Sequence, residues 1–169
     1  MKILKIVSTI VVASFLTLSF SAVSAVAHAD EKHDGIELKD AWARARTASA
    51  KVGGAYVTVH NMSKEDDRLI GAKSTVAHKT EIHTTKMTDG VMKMMPVTGG
   101  IEVKAGKMVM MKPGSYHIMF MGLKEPITKG KTFPVTLVFE KAGEIETTVT
   151  VKDAGAMGGM DHGKMKKTN

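Results

Sequence analysis

Beyond about residue 30 the sequence never sustains a 3.6-residue apolar period, and this most constrains the fold. Short runs rich in β-branched and aromatic residues recur instead, separated by glycine-based turn signals. Such runs predict strands near Ile36–Lys39, Ala55–Asn61, Arg68–Ser74, Thr80–Met87, Val91–Val97, Lys107–Met111, Tyr116–Met121, Phe133–Glu140 and Glu144–Val151. In the last of these, Ile145, Thr147, Val149 and Val151 share one face. Many short strands at this spacing predict an all-β chain, an antiparallel sandwich or Greek-key barrel. Turns are expected at Gly53-Gly54, Asp89-Gly90, Gly99-Gly100, Pro113-Gly114, Gly130 and Gly143. No internal repeat interrupts this reading.

The ends of the chain differ from its middle. Lys2 and Lys5 precede an uncharged run from Ile6 to about Phe20, followed by small residues ending Ala27-His28-Ala29. That order predicts a secretory signal peptide over 1–29 with Asp30 as the new N-terminus, a cut after Ala27 that leaves His28 first being the alternative. The apolar run is shorter than the roughly 20 residues that span a bilayer, so no membrane anchor is expected. No cysteine follows the run, which gives no support to a lipid-anchored form. One domain over 30–152 and a Gly-, Met- and Lys-rich tail over 153–169 complete the expected organisation. The tail lacks β-branched and aromatic residues up to Met165 and cannot offset the entropy of ordering, so a flexible segment is expected there.

Composition narrows the chemistry. Cysteine is absent while methionine occurs 14 times, in a chain whose signal points to an oxidising compartment. Disulfides, zinc-thiolate sites, thiol catalysis and blue-copper electron transfer are thereby excluded. Removal of Lys2 and Lys5 lowers the formal net charge from +7 to +5, spread along the chain. Basic and aromatic residues do not interleave as nucleic-acid binders require, so no nucleic-acid partner is expected.

The candidate site comes from strand geometry. In Tyr116-His117-Ile118-Met119-Phe120-Met121, residues two apart share a face, so His117 and Met119 project together. Asp89-Gly90 between strand-like runs predicts a two-residue hairpin in which Thr88 faces Val91, Met87 faces Met92, Thr85 faces Met94 and His83 faces Pro96. His83 and Met94 then lie diagonally on one face, within reach of long side chains. Together the four side chains offer two imidazoles and two thioethers, a neutral soft set that suits Cu(I). Core packing also explains a His and Met two apart, since Met fills core gaps. Met95, Met108, Met110 and Met111 are read that way. Met121 continues the face of Met119 as a weaker candidate, and His60 and His78 are read as surface or satisfied histidines. His33 beside Asp30, Glu31 and Asp34 is read first as solvated charge and second as a weak Cu(II) ligand. The tail residues Met157, Met160, His162 and Met165 are read equally as a flexible metal lure or a plain linker.

Several runs together resemble the periplasmic copper chaperones of the PCuAC family. They are Asp40-Ala41-Trp42-Ala43-Arg44-Ala45, Gly54-Ala55-Tyr56 with Asn61, and Asp67-Arg68-Leu69. His83 through Asp89-Gly90-Val91-Met92-Lys93-Met94, Pro96-Val97, Pro113-Gly114 and Tyr116-His117-Ile118-Met119 to Met121-Gly122-Leu123 continue the match. The family pattern is His, ten residues, Met, twenty-one residues, His-x-Met. Here ten residues separate His83 from Met94, and twenty-two separate Met94 from His117. The extra residue is expected in a loop near Thr98-Gly99-Gly100, and Ser115 stands where the family has a second glycine. The resemblance implies a cupredoxin-like β-sandwich, Cu(I) held by His83, Met94, His117 and Met119, and Cu(II) taken up by the tail. It also implies a periplasmic carrier without catalytic activity, supplying the CuA centre of cytochrome oxidase, sometimes beside Sco-type proteins. Copper sequestration for tolerance is the alternative.

Overall fold

A computed structural model describes residues 35–157. Ten strands follow in chain order: β1 (Ile36–Arg44), β2 (Val52–Asn61), β3 (Asp67–Lys73), β4 (Ala77–Thr88), β5 (Val91–Pro96), β6 (Ile101–Val103), β7 (Met108–Met110), β8 (His117–Leu123), β9 (Thr132–Phe139) and β10 (Glu144–Lys152). No helix occurs among the described residues, and none there is long and apolar enough to cross a membrane. The expected signal segment, His33 and the tail beyond Met157 lie outside the described residues.

The all-β expectation holds, and all nine expected strands are present. The strands hydrogen-bond in the order β5-β4-β8-β2-β1-β10-β9-β3-β6, with β7 added to β2. This continuous sheet folds over on itself, because β3 meets β4 and β6 meets β2 without pairing. Every ladder is antiparallel except β1 with β10, which run parallel through Trp42–Thr150 to Arg44–Lys152. That pair corrects the purely antiparallel expectation, because it joins the two ends of the domain and no hairpin signal can announce it.

Alternation along the strands builds the core. Ile118 and Phe120 of β8 are fully buried, as are Val57 and Val59 of β2 and Val135 and Leu137 of β9. On β10, Ile145, Val149 and Val151 face inward as the periodicity predicts. Burying each such side chain contributes about 1.5–3 kcal/mol. Phe120 meets Phe133 edge-on, with ring centroids 5.6 Å apart.

Two family-like runs are loop clamps. The buried Asn61 amide donates to the carbonyls of Glu65 (2.7 Å) and Val103 (2.9 Å). The Asp67 carboxylate accepts from the backbone N–H groups of Arg68, Lys141 and Ala142. Both satisfy backbone polar groups that burial would otherwise orphan.

Other expectations are corrected. Gly53-Gly54 is no turn: both lie inside β2, opposite Phe120 and Met119 of β8. A Cβ on Gly53 would come 2.9 Å from the Ile127 side chain, so the glycine permits close backbone approach. Ile101–Val103 forms a strand that its three residues were too few to signal. Of the methionines read as core fillers, only Met111 is buried; Met108 and Met110 are 61% and 59% exposed, and Met95 is also exposed. Thioethers left in water forgo burial stabilisation of about 1.5–3 kcal/mol, so packing does not account for them.

Candidate metal centre

The β4–β5 hairpin forms in the expected register: Met87 pairs with Met92, Thr85 with Met94 and His83 with Pro96. Asp89 and Gly90 carry φ of 52° and 76°, the left-handed pair of a type I′ turn. Met95 pairs with Thr84, which puts it on the hairpin face opposite Met94. Gly99 and Gly100 lie in the turn between β5 and β6, with φ of 82° and 77°.

The neighbour of β4 on its other edge is β8. His83 pairs directly with His117, and Glu81 with Met119. Paired residues project from the same side, so His83, His117, Met119 and Met94 share one face. The two imidazoles are nearly buried, at 9% and 5% exposure, with ring centroids 6.0 Å apart. Met94, Met119 and His117 line one open hollow with Thr85, Tyr56, Gly54, Arg44 and Arg46. Gly54 stands beside Met119, and its missing side chain keeps the hollow open. His83 and Met121 share the face but do not line the hollow, and His78 is exposed away from it.

Hydrogen bonds assign the tautomers. His117 Nδ1 donates to the Ser115 carbonyl at 3.0 Å, so Nε2 carries the lone pair. This bond uses only the backbone of Ser115, so it places no demand on the side chain there. His83 Nε2 donates to the Glu81 carboxylate at 3.0 Å, which leaves Nδ1 with the lone pair. Those two nitrogens, His83 Nδ1 and His117 Nε2, are buried and without hydrogen-bond partners. Buried polar atoms are rarely left so. A metal ion would satisfy both, since imidazoles sharing an ion through bonds of about 2.0 Å hold their centroids within about 6 Å. Among the described residues no group of three or more His, Cys, Asp or Glu side chains suits a metal, while the thioethers of Met94 and Met119 share the face of the two imidazoles.

Glu81 is the residue that sequence reading passed over. A carboxylate that accepts from a ligand histidine fixes its ring and raises its basicity. The signal was available, because Glu81 precedes His83 by two and shares its face. Its carboxyl is held below the usual range by the His83 hydrogen bond and then by Lys79, 2.5 Å away. Burial lowers the His117 imidazole below its usual value and His83 adds to this, against the Ser115 carbonyl. These effects favour the neutral form of the His117 imidazole and the ionised form of the Glu81 carboxylate.

Aromatic rings support the floor. Trp42 pairs with Tyr56 across β1 and β2, with centroids 4.5 Å apart, and Tyr56 lies 6.4 Å from His117. The Arg44 guanidinium sits 6.0 Å above Tyr56. It also donates to the Ala156 carbonyl at 2.8 Å and meets Met157 Sδ at 3.3 Å, so the first residues of the expected tail dock at the rim of the hollow.

The chain is similar to several known proteins. A relative in Leifsonia xyli subsp. xyli, a putative lipoprotein, is 32% identical over 149 residues, covering 86% of this chain and 89% of its own. The copper-bound PCuAC domain from PmoF2 superposes with a TM-score of 0.58 and 27% identity, over 70% of this chain and 93% of that domain. The Cu(I) form of DR1885 from Deinococcus radiodurans superposes with a TM-score of 0.52 and 28% identity, over 67% and 75% of the two chains. The family model described as "Putative lipoprotein LpqE-like" matches residues 36–151. The chain belongs to this LpqE-like family, which is of the PCuAC type.

Proposed function

We propose that the protein is an exported copper carrier that binds one Cu(I) through His83, Met94, His117 and Met119 and passes it on without catalysis. The observation that carries this reading is the pair of facing imidazoles. Each is pinned through one nitrogen and left with a buried, unpartnered lone pair on the other. A neutral imidazole and thioether set suits a soft monovalent cation and avoids the oxidation that disables thiolates in an oxidising compartment. Copper in the similar PmoF2 domain and Cu(I) in DR1885 support the choice of metal.

Release is built into the same donors. Met94 is 53% exposed, so an incoming ligand on a partner can displace its thioether while the buried imidazoles still hold the ion. The recipient in this reading is the CuA centre of cytochrome oxidase, with a Sco-type protein alongside. The putative-lipoprotein relative and the charged, apolar and small-residue order of the first 29 residues support export to the periplasm. The tail over 153–169 serves as a Cu(II) lure beside the 30–152 domain.

The test is a competition titration with a Cu(I) chelator. The parent should bind one ion tightly, and His117→Ala/Met119→Ala should lose that affinity. Equal binding by the double variant would end the site assignment. The exposed methionines Met87, Met92, Met108 and Met110 favour a second reading, sequestration for tolerance. That reading requires several ions held about equally tightly per chain.

A further inference from the structure

A second cluster of imidazole and thioethers lies toward the other end of β2. His60 pairs with Met108 of β7, and Thr58 with Met110, so His60 and both thioethers project from one face. His60 also pairs with Glu37 of β1 on its other side. Its Nδ1 is buried and lies 3.5 Å from the Glu37 carboxylate, with no closer partner. With Nδ1 turned toward Glu37, Nε2 is the nitrogen that a ligand in this site would use. The residue types echo the main centre, with Glu37, His60 and Met108 side by side on three neighbouring strands, although Glu37 makes no hydrogen bond to its histidine as Glu81 does.

We infer that His60, Met108 and Met110 form a second site for a soft monovalent cation, Cu(I) or Ag(I). Three neutral donors, one nitrogen and two sulfurs, match such an ion and no hard divalent one. The site is separate from the first. Gly54, beside Met119, and His60 are six residues apart along β2, or about 20 Å. It is also weaker. Both thioethers stand in water and must be ordered on binding, and Lys39 holds the Glu37 carboxylate at 2.7 Å, which places a positive charge nearby. A monovalent ion tolerates that neighbour better than a divalent one. A weak, open site of this kind serves to collect or exchange ions.

The test uses the chain from Asp30 to Asn169 with methyl-labelled methionine, titrated with Ag(I) alone. The first equivalent should move the Met94 and Met119 methyl signals. Further Ag(I) should move Met108 and Met110, with an affinity about 100-fold or more below the first. Met108→Leu/Met110→Leu replaces exposed side chains and should abolish only this second event. If the Met108 and Met110 signals stay fixed through three equivalents while tail methyls respond, the inference falls. It falls too if the second event survives in the Leu variant. If instead Met108 and Met110 respond while Met94 and Met119 do not, the carrier reading fails and this one stands.

Discussion

Two regions of one sheet face carry the same chemical alphabet and spell it differently. At the β4–β8 end, His83 and His117 are buried, each ring is pinned by one hydrogen bond, and the free nitrogens lack partners. At the β2–β7 end, His60 is half-buried, its carboxylate neighbour is shared with Lys39, and both thioethers stand in water. The donors are alike and the preorganisation is not. A ring already fixed in its ligating tautomer loses little freedom when the ion arrives, whereas a mobile methionine must be ordered at that moment. Burial, more than donor identity, should separate tight from weak binding here.

Replacing both rings should break the comparison most severely. His83→Ala/His117→Ala should cost more than about 100-fold in Cu(I) affinity, since even outer partners of metal ligands carry 10–100-fold. His60→Ala should leave the affinity for the first equivalent within about 2-fold. Comparable losses in both variants would erase the distinction between the two ends. Chelator competition measures both.

The next effect concerns the pin and not the donor. Glu81→Gln should weaken Cu(I) binding about 10-fold while thermal stability stays near that of the parent, and Glu37→Gln should leave the first equivalent unaffected. An unchanged Cu(I) affinity in Glu81→Gln would remove the carboxylate from the centre.

Met94→Leu sharpens the contrast between buried and exposed donors. Loss of one exposed thioether should raise the rate of copper release by roughly 10-fold and alter the apo fold little. Stopped-flow transfer to a chelator reads this directly, and an unaltered rate would discard Met94 as a ligand.

The smallest effect is on pH dependence. Burial holds the His117 imidazole below its usual pKa of about 6.5. As pH falls through about 6.5, the unfolded chain takes up a proton at this residue before the folded chain does. Apo stability should therefore decline from near pH 6.5 downward until the folded imidazole also protonates. An NMR titration of the ring should give a midpoint below about 6.5, and a midpoint above it would contradict the burial argument.

Much of the fold was legible because it is local. The Asp89-Gly90 turn sets hairpin register by backbone conformation alone, so the pairings of Met87 with Met92 and Thr85 with Met94 followed from the ten residues Thr85 to Met94. Alternation on β10 could be read for the same reason, since side-chain period is a property of the strand itself. Gly53-Gly54 misled because a glycine pair signals turns and close approaches alike, and only the position of Ile127 separates them. Met108 and Met110 misled because methionine serves core and surface equally well. Their exposure depends on what covers β7.

Taken alone, the amino-acid order determined an all-β domain, one hairpin with its register, and a soft donor set free of thiols. Those features rest on local backbone preference and on composition, which act before the chain closes. Tertiary structure decided that β8 lies against β4, so that His117 faces His83 across residues distant in the chain. It alone could show which ring nitrogens are pinned and which are left without partners, because burial and hydrogen bonding depend on neighbours that only the folded sheet supplies.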